Sequence, residues 1–195
     1  MRAVVINCTL KATPQVSATE ALADVVADCL RERDVEVSAF RAADLSLPPG
    51  TATDMGGSDA WPGVHDLLTG ARVLVVASPA RLGRASSLAW RVLERMSAMR
   101  AETGEDGRPV AYDKVAGIVA TGQEDGVRHV VSGVGGALAD IGYTIPGRAW
   151  VHAPGDPRAA ARDRPRAHRA AATMAANLVT TARALEADPL ERPSS

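Results

Sequence analysis

The chain has 195 residues, a net charge of −1, 46% hydrophobic and 23% charged residues. That supports one good-sized core and excludes a disordered or fibrous chain. The near-neutral balance gives no ground for a nucleic-acid or acidic-membrane partner.

In chain order, strand signals alternate with helix signals. Arg2 to Ile6 is a short apolar run of the kind found in strands buried on both faces. The chain enters it directly, without the charged region, apolar run and cleavage site of a signal peptide, so the expected location is cytoplasmic. After a polar loop, Leu22, Val25, Val26, Cys29 and Leu30 mark one face of an amphipathic helix. Val35 to Phe40 reads as a second strand, followed by a long loop over 45–60 and a short helix near Pro62 to Thr69. Val73 to Ala77 is the third strand, with a helix from about Ser86 to Arg100. The polar stretch ETGEDGRP reads as an exposed turn. Val115 to Ala120 is the fourth strand, a helix follows over Gly126 to Ile141, and Thr144 to Val151 is a short fifth strand. A last helix is expected over His168 to Glu186. The reading is a single domain over 1–187 with a frayed tail at 188–195. No apolar run approaches the ~20 residues that span a bilayer.

Five strands, each followed by a helix, imply an α/β fold with a parallel sheet covered on both faces. The flavodoxin-like order 2-1-3-4-5, a three-layer sandwich, fits this length. It places a ligand at the carboxyl ends of strands 1, 3 and 4. The loops there are residues 7–19, 78–87 and 121–129.

The first loop ends in Ser17-Ala18-Thr19-Glu20, a capping-box pattern. The free N–H groups and dipole of such a helix start suit an anion, and Thr9, Ser17, Thr19 and Lys11 add donors and charge. The same pattern caps many helices that bind nothing. The spacing is neither GxGxxG nor a Walker loop. Cys8 and Cys29 make no disulfide framework; Cys29 reads as a small core hydrophobe, and Cys8 borders the first loop. No HxH, HExxH or CxxC is present, so no metal site is expected.

The combined segments resemble the flavodoxin-like, NAD(P)H-dependent FMN reductases. The carriers are VVINCTLKATPQVSATEALAD, LPPGTATDMGGSDAWPGVHDLL, SPARLGRASSLAWRVLERM, GRPVAYDKVAGIVATGQEDGVRHV, ALADIGYTIPGRAWV and TMAANLV. The resemblance implies that Thr9, Lys11, Ser17 and Thr19 grip an FMN phosphate. It implies that the second loop, Ser78-Pro79-Ala80-Arg81-Leu82-Gly83, lies along the flavin ring, where the family typically reads T-P-T-W-W-G. The third loop, Thr121-Gly122-Gln123-Glu124-Asp125-Gly126-Val127-Arg128-His129, matches the family's T-G-N-E-D-G-A-H-H. NADH or NADPH as electron donor and a homodimer follow from the same resemblance.

Three departures shape the expected function. The aromatic pair of the second loop is missing, which removes about 0.5–1.5 kcal/mol of ring stacking beyond area burial. Leu82 and backbone amides of the second and third loops are left to hold the ring. Arg81 and Arg84 are charges the family lacks there, although all but two of the 22 Lys and Arg residues are arginine. One cation near a flavin stabilises its anionic reduced form; two could hold an anionic substrate, or both could be solvated. Residues 152–169 carry five arginines and two histidines against two aspartates, either a lid for an anionic substrate or a solvated loop.

The leading expectation is an FMN-dependent NAD(P)H oxidoreductase reducing a quinone, a flavin or a small biosynthetic intermediate. Its rival is a flavin-free enzyme using the emptied site for dehydration, isomerisation or cyclisation of an anionic small molecule. There Arg81, Arg84, Arg128 and His129 would line the pocket, with His129 as proton donor and Glu124 as a base, although His129 also reads as a structural hydrogen-bonder. A third is a binding protein without catalysis. Glu124 and Asp125 also read as caps of the following helix.

Overall fold

The structure is a computed structural model that describes residues 1–153 and 165–191. Five parallel strands form its sheet: β1 (Arg2–Asn7), β2 (Glu36–Arg41), β3 (Val73–Arg81), β5 (Val115–Thr121) and β6 (Trp150–Ala153), in the order β2-β1-β3-β5-β6. A two-residue strand β4 (Arg84–Ala85) folds back antiparallel on the end of β3. Without that hairpin the order is the expected flavodoxin-like one.

Alternation along the strands builds two cores. Val4, Ile6, Leu74, Val76, Ile118 and Ala120 face one side, where helices α2 (Trp61–Gly70), α3 (Ser87–Met96) and α4 (Glu124–Ile141) pack. Ala3, Val5, Val73, Val75 and Val119 face the other, under α1 (Ala18–Arg31) and α5 (Pro165–Ala187). Strands apolar on both faces are what a doubly covered parallel sheet requires.

Several boundaries move for local reasons. The third strand runs on through Arg81, because Leu82 and Gly83 both take positive φ, 49° and 74°, and close a two-residue hairpin. The fifth strand is Trp150–Ala153; earlier in its expected span only Thr144 bridges to Val115, before a Pro146–Ala149 turn. The helix expected to reach Arg100 tightens to 3-10 geometry over Ser97–Arg100. At the far end, the N–H of Leu190 donates to Asp113 Oδ1 at 2.8 Å and its carbonyl accepts from Arg108 at 2.6 Å, so the start of the expected tail is tied down. Residues 192–195 lie outside the described residues, as do 154–164 of the basic stretch.

The long loop over 45–60 is pinned from α3. Arg95, fully buried, pairs with Asp59 at 2.7 Å and donates to the carbonyls of Pro48 and Ala52 at 3.0 Å each. Its guanidinium also lies 5.4 Å from the Trp61 ring centroid.

Candidate functional site

The three loops expected to carry chemistry meet at the carboxyl ends of β1, β3 and β5. Ser17 is the N-cap of α1, accepting from the N–H of Glu20 at 3.2 Å. The hydroxyls of Thr19 and Thr121 share a 2.7 Å hydrogen bond that joins the first loop to the third. Ser86 caps α3 and donates to the Cys8 carbonyl at 2.7 Å, joining the second loop to the first. Ser78 Oγ accepts from the Ser86 N–H at 3.0 Å. Thr9, Ser17, Thr19, Ser78 and Thr121 are buried. Lys11 arches over its own loop and donates to the Val16 carbonyl at 2.8 Å.

The sequence reading missed what holds the first loop. Arg41, at the end of β2, makes a two-pronged pair with Glu20 and donates to the carbonyls of Lys11 and Gln15 at 3.2 and 2.9 Å. Asp44 accepts from the Thr13 N–H and hydroxyl at 2.8 and 2.7 Å, and these bonds hold its carboxyl below the usual range. A charged residue closing an otherwise apolar strand end was the available signal for Arg41. At the base of the loop, Asn7 Oδ1 accepts the Thr9 N–H, which leaves its buried Nδ2 without a partner among the described residues. A buried donor left unmade is costly, and an anion's oxygen would satisfy it.

The second loop is built differently. Arg81 and Arg84 face each other across the hairpin, exposed and outside any ion pair among the described residues. Between them Leu82 is 104% exposed and left-handed, where a side chain is strained. Pro79 continues β3 beside Thr121. Ala80 abuts the third loop so closely that a Cβ at Gly122 (φ +146°) would fall 2.8 Å from the alanine methyl, and one at Gly126 3.2 Å. A larger residue at 80 would enter that space.

In the third loop, Gln123 is the N-cap of α4 without a side-chain capping bond. Glu124 and Asp125, expected as caps, stand instead in the first turn, where acidic charge suits the helix dipole. Glu124 pairs with Arg128 at 3.1 Å, both exposed. His129 is exposed on α4, and its ring has no partner among the described residues. Cys8 is fully buried, and burial pushes its thiol up to about 12, which disfavours the reactive thiolate. No group of three or more His, Cys, Asp or Glu able to hold a metal occurs among the described residues.

Comparison with known proteins fits this geometry. The chain is 34% identical over 208 residues to the divalent metal cation transporter MntH of Mycobacterium bovis, covering all of this chain and 30% of that protein. Among the described residues no helix is long and apolar enough to cross a membrane. It is 28% identical over 158 residues to 8-demethyl-8-aminoriboflavin-5′-phosphate synthase of Streptomyces davaonensis, covering 76% of this chain and 62% of the synthase. The chain thus spans less than two thirds of either curated relative. The crystal structure of RosB with bound 8-demethyl-8-formylriboflavin-5′-phosphate superposes at TM-score 0.87 with 26% identity, over 97% of this chain and 82% of that one. A family model described as NADPH-dependent FMN reductase matches residues 1–156. With its sheet order and that match together, the chain belongs to the NADPH-dependent FMN reductase family.

Proposed function

We propose that the chain binds FMN and is an NAD(P)H oxidoreductase that reduces a quinone, a flavin or a small biosynthetic intermediate. The observation that carries this is the first loop: braced by Arg41 and closed by Ser17, with the orphaned Asn7 Nδ2 at its base. Thr9, Lys11, Ser17 and Thr19 would hold the phosphate. Backbone amides of Ser78–Gly83 and Thr121–Gly126 would border the ring. Leu82, apolar and fully exposed, would lie on its face. The flavin, when bound, would supply hydride acceptance and electron transfer. Arg81 would sit beside the ring and favour negative charge there. A cytoplasmic location and a homodimer belong to the same proposal; light scattering checks the dimer.

The likeness to a riboflavin-5′-phosphate-modifying synthase favours a second reading, in which the same site takes a flavin phosphate as substrate. The flavin-free acid–base reading has less support. Glu124 is paired with Arg128, and the His129 ring has no partner among the described residues to set its tautomer.

The test is the visible spectrum of purified chain after incubation with FMN and gel filtration. Retained flavin that is reduced by NADPH and reoxidised unchanged supports the reductase. Flavin recovered chemically altered supports the second reading. Colourless protein sinks both.

A further inference from the structure

Among the described residues β6 is the last strand of the sheet, with no strand neighbour on one of its sides. Trp150 and His152 lie two apart on it, and their rings stack at 5.3 Å between centroids and 28° between planes. Trp150 remains 38% exposed and is among the residues that line a cavity there. A cavity of about 570 Å³ lies between this strand and α5. Arg148, Arg166, Arg169 and Thr173 line it, and no carboxylate does among the described residues. None of the three arginines forms an ion pair among the described residues. Three like charges on one cavity repel each other and favour an anion between them.

Two further facts point the same way. Arg148 is left-handed, φ +58°, at the third position of the turn closed by the Ala149 N–H on the Pro146 carbonyl at 3.2 Å. That position favours glycine, yet Gly147 stands one residue earlier. A strained side chain held in place at a cavity is a common mark of function. The cavity also adjoins the candidate site. Ala153 lies opposite Thr121 in the ladder, one strand spacing of about 4.8 Å away.

We propose that this cleft is a nucleoside-phosphate site, in which an aromatic base stacks on Trp150 and Arg148, Arg166 and Arg169 take the phosphate. Aromatic faces accept any base by stacking, and the guanidinium fork matches phosphate oxygens. The volume lies within the range of small-molecule pockets, about 300–1,000 Å³. The same chemistry is presented by the adenosine end of NADPH, whose ribose carries a phosphate, and by a free mononucleotide. The first source rests on the reductase reading above; the second does not.

The test is calorimetric titration of the full chain with 2′,5′-ADP, 5′-AMP and inorganic phosphate. Both nucleotides are expected to bind more tightly than inorganic phosphate. The double variant Arg166→Gln/Arg169→Gln should weaken nucleotide binding by about tenfold or more, and Trp150→Ala should weaken nucleotides but not inorganic phosphate. Arg148→Gly should keep a thermal midpoint at or above that of the parent while binding more weakly, which separates function from misfolding. Tighter binding of 2′,5′-ADP, with competition against NADPH, assigns the donor's adenosine end; equal or tighter binding of 5′-AMP without competition assigns a free nucleotide. Nucleotide binding in a chain that retains no FMN keeps the site and overturns the reductase reading. Unchanged affinity in the double variant, or no nucleotide binding at millimolar concentration, overturns the site.

Discussion

Two sets of arginines in this chain do opposite work. Arg41 and Arg95 are buried, and each combines one carboxylate with two or more backbone carbonyls, pinning residues 11–15 and 48–59 respectively. Arg81 and Arg84 stand exposed on a two-residue hairpin and brace nothing among the described residues. The first and long loops are therefore set before any ligand arrives, whereas the second presents bare charge and one apolar tip. Preorganised donors suit the phosphate end of a ligand, where geometry is strict. An unbraced hairpin suits the end where chemistry and specificity vary among relatives.

The comparison breaks first, and hardest, at Asp59. Asp59→Ala leaves Arg95 buried without its counter-charge, and a loss of about 3–5 kcal/mol is expected in denaturant unfolding. A loss under 1 kcal/mol would mean that the carbonyls alone brace the loop. The same carboxyl is held down to about 2, chiefly by its bond from Arg95, against burial that would raise it. A depressed carboxyl stabilises the fold above its unfolded pKa of 3.8 and loses that contribution as pH falls toward 2. Acid titration of Asp59→Asn should lack that part of the acid limb.

Arg41→Met comes next. It removes the Glu20 pair and two carbonyl bonds, with an expected loss of about 2–3 kcal/mol because Glu20 is partly exposed and can rehydrate. FMN affinity should fall by about tenfold or more, read by equilibrium dialysis. Equal dialysis curves would show that the loop holds its shape unaided.

Leu82→Gly probes the other side of the comparison. Relief of the left-handed strain outweighs added freedom of the unfolded chain, so the fold should gain up to about 1 kcal/mol. Flavin retention should weaken, since the apolar tip is gone; stronger retention would remove Leu82 from the ring site. The smallest stability effect belongs to Arg81→Ser/Arg84→Ser, within about 0.5 kcal/mol of the parent. A larger change would show that these arginines also brace structure. Cys8 should not react with a thiol reagent at pH 8 while the chain is folded, and rapid labelling would contradict its burial.

Much of the site was legible because loops at one end of a parallel sheet follow from strand order. Thr19 meets Thr121, and Ser86 meets the Cys8 carbonyl, as that order requires. Asn7 and Arg41 were not legible. The unsatisfied amide of Asn7 is visible only once its neighbours are placed, and Arg41 meets Lys11 from 30 residues away. His129 carries the proposed acid role on sequence grounds; that the fold also brings His152 near Glu124 and Arg166 is recorded by no local pattern.

By itself, the sequence determined the layered α/β architecture, the ends of most elements and the capped first loop. Those rest on periods of 2 and 3.6 and on residues a few positions apart, which are local. Only the tertiary structure decided which of many arginines are buried braces and which are open charges. It also decided that Trp150, His152, Arg148, Arg166 and Arg169 share one cleft. Burial and pairing depend on partners tens of residues away, as Arg95 and Asp59 are 36 apart, and no local pattern records them.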